Sequence, residues 1–158
     1  MTQPDRDFLF SHPAHFAALG FGAGLARKAP GTWGTLVGVP LYFLLAPLGA
    51  TAYWLIAAGC LAVGVWFCGK TGHDLGVHDH GGIVWDEIAA ILLVLPFAPP
   101  TWWGFVLAFA LFRLFDIWKP FPIAWCDARL SGGFGVMFDD VLAAGYAVLC
   151  LIGVKSWV

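Results

Sequence analysis

The chain has 158 residues, of which 60% are hydrophobic and 11% are charged, and its mean hydropathy is +0.81. A water-soluble domain of this length could not cover so much apolar surface, so the composition predicts a membrane protein with one domain over residues 1–158. The formal net charge of -2 supplies no basic surface for a nucleic acid backbone, which argues against nucleic acid as a partner and favours lipid.

The N-terminal part of the chain contains an apolar segment from Phe16 to Ala26. It is too short to cross a bilayer, and it contains three glycines, so we expect an interfacial or re-entrant segment. The uncharged stretch that follows, between Lys28 and Lys70, is about twice the ~20 residues that one spanning helix needs. It predicts two helices, from about Thr35 to Ala46 and from about Thr51 to Phe67.

Three further apolar stretches complete the chain, from Ile83 to Ala98, from Trp102 to about Trp118, and from Phe138 to Trp157. The predicted fold is therefore an all-α polytopic membrane bundle with about four to five spanning helices. Charged and uncharged loops alternate, which places nearly all charges on one side of the membrane. By the positive-inside rule this side is the cytoplasm, so we expect a multi-pass membrane protein whose charged face is cytoplasmic.

Acidic side chains mark the predicted cytoplasmic ends of three helices. They are Asp86 with Glu87, Asp116, and Asp139 with Asp140. A charge inside a spanning helix costs on the order of 3 kcal/mol, so such a group needs a physical reason. Carboxylate oxygens are the ligands that Mg²⁺ prefers, and the remaining Mg²⁺ positions commonly go to water and substrate phosphate. The sequence therefore predicts a Mg²⁺ site with Arg113 and Lys119 at its rim.

Simpler interpretations exist for some of these residues. Asp139 and Asp140 could cap the start of a helix, and Arg113 could merely pair with Asp116 one turn away. Asp86 and Glu87 have no Lys or Arg within a helical turn. For these two we expect a metal or a partner from another helix.

Two glycine-containing segments and one histidine-rich segment are weaker candidates. The segment Lys28-Ala29-Pro30-Gly31-Thr32 precedes a helix and could bind an anion, and Ser131 to Gly135 could be a hinge. His73, His78 and His80 lie with Asp74 and Asp79 in a predicted polar loop, where Asp79 is the residue we would retain as a metal ligand.

Five ordered segments of the chain resemble the motifs of the phosphatidylglycerophosphatase A family. They are Lys28-Ala29-Pro30-Gly31-Thr32, His78-Asp79, Ile83-Val84-Trp85-Asp86-Glu87, the segment from Arg113 to Pro122, and the segment from Gly132 to Ala144. The resemblance implies a Mg²⁺-dependent inner-membrane enzyme that converts phosphatidylglycerophosphate to phosphatidylglycerol.

Taken with the charged residues, the resemblance assigns roles at the expected site. Metal ligands would come from Asp79, Asp86, Glu87, Asp139 and Asp140, and Asp116 would join the catalytic carboxylates. The substrate phosphate would be held by Lys28, Thr32, Arg113, Lys119 and Arg129. The nucleophile, either a water or a carboxylate, stays open at this point.

Two other functions deserve comparison. A Mg²⁺-dependent phosphatidyl-group transferase usually carries an Asp-Gly pair, and this chain has none. A small cation channel or transporter would need ionisable residues along a path through the membrane, whereas the acids here are predicted at one face. A homo-oligomer is compatible with either function.

Overall fold

The computed structural model describes residues 3–77 and 79–155, and helices account for all of its regular secondary structure within those ranges. His78, which belongs to the His78-Asp79 motif, and the C-terminal residues after Lys155 lie outside them. The helices are α1 (Arg6–Ser11), α2 (Pro13–Ala18), α3 (Pro30–Leu45), α4 (Ala50–Leu75), α5 (Trp85–Val94), α6 (Trp102–Trp118), α7 (Ile123–Asp127) and α8 (Gly132–Lys155).

Helices α3 and α4 form the first hairpin of the bundle, and both are longer than predicted. Helix α3 begins five residues before Thr35 because Pro30 occupies its first position, where a missing N–H group costs nothing. Helix α4 continues eight residues beyond Phe67 through a polar last section, which is stabilised by an ion pair between Lys70 and Asp74 at i, i+4. Thus Asp74 belongs to a helix, and its predicted placement in a loop is wrong.

Helix α5 is a short helix buried inside the bundle. The sequence predicts a spanning element from Ile83 to Ala98, but the α-helix covers only Trp85–Val94 and then tightens into a 3₁₀ turn at Leu95–Phe97, where Pro96 prevents its continuation. Eight of its ten residues are buried against protein. Ten residues extend about 15 Å, half the thickness of the hydrocarbon core, so α5 by itself does not span it.

Helices α6 and α8 complete the bundle. Helix α6 has the predicted bounds, and the Thr101 side chain caps it by accepting a hydrogen bond from the Gly104 N–H at 3.1 Å. Helix α8 begins at Gly132, six residues before the predicted start, so the predicted hinge at Ser131 to Gly135 lies mostly within its first turn.

Within residues 3–77 and 79–155, three helices are long and apolar enough to cross a membrane. These are α3 with its 3₁₀ extension (Pro30–Leu48), α4 and α8. Helix α6 is apolar but has only 17 residues. The all-α membrane fold is confirmed, whereas four to five crossings stays a prediction.

The N-terminal segment forms no spanning helix. It consists of α1, α2 and a 3₁₀ segment at Gly20–Leu25, where Phe21 has a positive φ of 58°. The His15 Nε2 atom lies 2.8 Å from the Asp74 carboxylate, which ties this segment to the polar end of α4. Its interfacial position in the membrane stays a prediction.

Glycines allow the helices to approach closely. A side chain at Gly38 of α3 would collide with Ile91 of α5, and one at Gly133 of α8 would collide with the Val65 carbonyl of α4. Small residues at such contacts are how membrane helices pack without a hydrophobic driving force between them. This packing fixes α5 between α3, α4 and α8.

Candidate active site

Three buried carboxylates converge where the first turn of α5 meets α8. Asp86, Glu87 and Asp140 each offer one oxygen, and these oxygens lie within 4.8 Å of one another. We call these residues the carboxylate triad. Asp140 lies eight residues after the start of α8, far beyond the N–H groups that a cap would satisfy, so the capping interpretation is wrong.

The carboxylate triad is electrostatically unfavourable on its own. At 4.8 Å, two ionised carboxylates repel by about 3 kcal/mol even at an effective dielectric constant of ~20. Each member also has a buried oxygen without a hydrogen-bond partner in the described ranges: Asp86 Oδ1, Glu87 Oε2 and Asp140 Oδ2. Three buried carboxylates held this close, each with an oxygen that lacks a hydrogen bond, fit a small divalent cation such as Mg²⁺.

Arg113 of α6 provides positive charge beside the triad. Its Nη1 atom lies 3.4 Å from Glu87 Oε1 and also pairs with Asp116 one turn later on α6. The predicted pair between Arg113 and Asp116 is therefore present. Glu87 has no basic residue within a helical turn of α5, and Arg113 of α6 supplies the partner that was expected from another helix. The Nε–H of Arg113 is buried and makes no hydrogen bond with the described residues. This donor fits an oxygen of a bound phosphate.

The first turn of α3 packs directly on the site. A Cβ atom at Gly31 would overlap Glu87 Oε1 and would lie 3.1 Å from both terminal nitrogens of Arg113. The turn is preceded by Ala29 in the left-handed conformation, with φ of 48°, which is uncommon for a residue with a side chain. Thr32 is half-buried in this turn and Lys28 is exposed just before it. The predicted anion-binding segment thus lies at the edge of the carboxylate triad. Its residues from Pro30 onward belong to α3, whereas the sequence predicted that they precede the helix.

Asp139 points away from the triad and into a separate ion-pair network. Its Oδ2 atom lies 2.6 Å from Lys119 Nζ, which also lies 3.0 Å from Asp127 Oδ1. Asp139 is thus not among the three clustered carboxylates, as expected for neighbouring helix residues that differ by about 100° in direction, and its role as a metal ligand stays a prediction. Burial disfavours the charge of Lys119, but the hydrogen bonds and charges of Asp139 and Asp127 outweigh it and raise the Lys119 pKa.

Replacing Lys119 with Met should destabilise the protein by about 1–3 kcal/mol, because buried Asp139 would lose its cation. The loss is smaller than for a fully buried pair, since 26% of the Lys119 side chain is exposed. Because the folded-state pKa of Lys119 is raised, this stabilisation is fully present below the unfolded value of about 10.4 and is lost only at higher pH. Thermal unfolding in detergent measures the change.

The double variant Lys119→Met/Asp139→Asn provides the control. We expect it to regain most of the lost stability, since it removes both charges. If KM for a phosphate substrate is higher in the stable double variant than in the natural protein, Lys119 binds that phosphate, as the sequence predicts. An unchanged KM would leave it a structural role only.

Two other predicted residues lie outside the triad. Arg129 is exposed and its guanidinium lies 4.3 Å from the centre of the Trp125 ring. Asp79 is exposed and lines a small cavity with Arg27, Pro30 and His80. Neither residue is among the three carboxylates of the triad, so Arg129 as a phosphate ligand and Asp79 as a metal ligand stay predictions.

Sequence reasoning missed the contact between Gly31 and Glu87 and the bond between His15 and Asp74. The His15 ring is buried, stacks on Phe8, and bonds Asp74 from 59 residues away. A lone histidine in an apolar segment was the available signal, but nothing in the sequence identifies its partner.

Comparison with known proteins agrees with the geometry. The family model described as Phosphatidylglycerophosphatase A matches residues 16–155. A protein of Haemophilus influenzae named Phosphatidylglycerophosphatase A is 50% identical, covering 99% of this chain and 97% of its own length. One of the same name from Escherichia coli is 43% identical, covering 84% of this chain and 78% of its own.

A third relative, from Bacteroides thetaiotaomicron, bears the name "Putative phosphatidylinositol-3-phosphatase" and is 39% identical, covering 88% of this chain and 91% of its own length. No solved structure matches the chain. The extent of the family match and the identity to its named members settle the classification. The chain therefore belongs to the phosphatidylglycerophosphatase A family and is a phosphatase.

Proposed function

We propose that the protein hydrolyses phosphatidylglycerophosphate to phosphatidylglycerol and inorganic phosphate, with Mg²⁺, at the cytoplasmic face of the inner membrane. The observation that carries this proposal is the carboxylate triad, with three orphaned oxygens beside the free Nε–H donor of Arg113. The names of the two phosphatidylglycerophosphatase A relatives support the substrate.

The triad is the proposed Mg²⁺ site, held by Asp86 and Glu87 from α5 and by Asp140 from α8. When bound, Mg²⁺ would neutralise charge on the phosphoryl oxygens and help to orient the phosphate. The close packing of α3, α5 and α8 would hold the ligands in position before substrate binds, which is the condition for electrostatic catalysis.

The protein groups around the triad would bind the terminal phosphate. Arg113 Nε would donate a hydrogen bond to a phosphate oxygen, while its Nη1 stays with Glu87 and Asp116. Lys28, just before α3, would add a cation at the rim, and Thr32, in its first turn, would add a hydroxyl.

Hydrolysis requires water to attack phosphorus as the bond from phosphorus to the glycerol oxygen breaks and that oxygen takes a proton. A carboxylate oxygen of the site that does not ligate the cation would accept the proton of the attacking water and would then pass a proton to the glycerol oxygen. The alternative, in which a carboxylate attacks first and the phosphoenzyme is then hydrolysed, differs in forming an intermediate that acid quenching would trap.

The cytoplasmic orientation is supported by the distribution of charge. The triad and Lys119 belong to helix ends that share one side of the bundle, and the basic residues Arg27, Lys28 and Lys70 flank the same ends. Basic residues are enriched in cytoplasmic segments of membrane proteins.

The test is phosphate release by purified protein from vesicles that contain phosphatidylglycerophosphate, with Mg²⁺ or with a chelator. We expect release with Mg²⁺ and a loss of at least about 10²-fold with the chelator, restored by adding Mg²⁺. Parallel vesicles with phosphatidylinositol 3-phosphate test the substrate suggested by the third relative's name. Faster release from that lipid, or release that ignores the chelator, would contradict the proposal.

A further inference from the structure

A large apolar groove lies between the N-terminal segment and α3. It measures about 930 Å³, within the size range of small-molecule sites, and its walls include Phe10, Phe21, Trp33 and Leu36. All four side chains are between 43% and 72% exposed. In a membrane protein such a surface meets lipid rather than water.

The groove carries one cationic side chain among its apolar lining, that of Arg6 on α1. The bond between His15 and Asp74 fixes the N-terminal helices at the polar end of α4, so Arg6 belongs to the charged end of the bundle. At Ala26 the groove adjoins the smaller cavity that contains Arg27 and Asp79. Arg6 therefore supplies a cationic group for an anionic headgroup at the polar end of the groove.

Helix α3 connects the groove to the active site. Its residue Gly31 contacts Glu87 of the triad, while Trp33, Leu36, Val37 and Pro40 line the groove. These four residues have the i, i+3, i+4, i+7 spacing of one helix face. From Trp33 to Pro40 the helix extends about 10 Å, so the groove runs from the level of the carboxylates toward the bilayer interior.

We propose that this groove binds one acyl chain of the anionic phospholipid substrate, with Arg6 beside the phosphodiester of its headgroup. The inference rests on the proposed function for the identity of the lipid. A lipid held this way would enter sideways from the bilayer, and its terminal phosphate would approach the triad along the first turn of α3. The positive charge at one end and the continuity with the active site favour a lipid over a second copy of the chain.

The first experiment locates the acyl chain without requiring catalysis. Protein in vesicles is irradiated with a phosphatidylglycerol that carries a diazirine in one acyl chain, and labelled peptides are mapped by mass spectrometry. We expect labelling concentrated at the groove. Labelling spread evenly over the exposed faces of α3, α4 and α8 would overturn the proposal, and this outcome is independent of whether phosphate release is observed.

The second experiment fills the groove with Leu36→Trp. We expect labelling of the groove to fall about tenfold and KM for a long-chain substrate to rise about tenfold, while KM for a short-chain analogue changes less than about twofold. The matched control is Leu55→Trp, at an exposed apolar position on α4 outside the groove lining. Equal effects of the two variants, or an equal change for long and short chains, would overturn the proposal. If Leu36→Trp fails to fold, the wild-type labelling map still decides the question.

Discussion

Replacing Asp140 with Asn should lower phosphate release by about 10²–10³-fold, whereas the same change at the adjacent Asp139 should leave the Mg²⁺ dependence unaltered. Asn preserves the size of the side chain but removes its charge and one acceptor oxygen. At Asp140 this removes one of three carboxylates that lie within 4.8 Å of one another. We therefore expect the Mg²⁺ concentration for half-maximal activity to rise.

Asp139→Asn is the matched control because it makes the same chemical change one residue away on α8. It removes the ion pair with Lys119, so a lower unfolding temperature is expected without a shift in Mg²⁺ response. Stabilisation of each protein against heat by added Mg²⁺ supplies a readout that does not depend on turnover. An equal shift of the Mg²⁺ response in both variants would contradict the assignment of Asp140 to the Mg²⁺ site and of Asp139 to the ion pair with Lys119.

Adding a single methyl group at Gly31 should reduce kcat by about 10–10²-fold. The new Cβ would overlap Glu87 Oε1, and the terminal nitrogens of Arg113 lie 3.1 Å from it, so the carboxylate and the guanidinium must both move. Catalytic groups displaced by about 1 Å lose much of their effect, since electrostatic stabilisation requires fixed positions. Steady-state rates of phosphate release at saturating substrate measure the loss.

Gly59→Ala provides the comparison for this variant. Gly59 lies inside α4, and a Cβ atom there would meet no heavy atom within 4 Å. Alanine is a better helix former than glycine by about 0.5–1 kcal/mol, so the control should be as stable as the natural protein or more so, with unchanged activity. A Gly31→Ala protein with normal kcat would show that the first turn of α3 does not constrain the site.

The bounds of some helices could be predicted from the sequence more closely than those of others, for physical reasons. Helix α6 could be bounded closely because tryptophans mark both of its ends, and this signal is local. Helix α5 was overestimated because hydropathy does not distinguish residues that face lipid from residues that face protein. Ile88, Ile91 and Leu92 are buried by neighbouring helices, so their hydropathy serves the protein interior and does not require a spanning length.

The candidate site, too, could be predicted from the sequence only in part. The conjunction of Asp86, Glu87 and Asp140 was predictable, since isolated acids in apolar helices require a partner. Which of Asp139 and Asp140 joins them could not be predicted, because it depends on which face of α8 packs on α5. The role of Gly31 was also hidden, since a glycine near a helix start usually indicates a turn, and only the packing of α3 reveals its contact with Glu87.

The short length of α5 has a consequence for how the protein is made. Two of its first three residues are acidic, and the segment is too short to be inserted alone as a membrane anchor. The third carboxylate arrives only with α8, which follows α5 in the chain by more than 30 residues. We therefore expect newly synthesised chains to stay inactive until α8 has docked, and premature termination before Gly132 to yield a polypeptide that lacks one carboxylate of the triad.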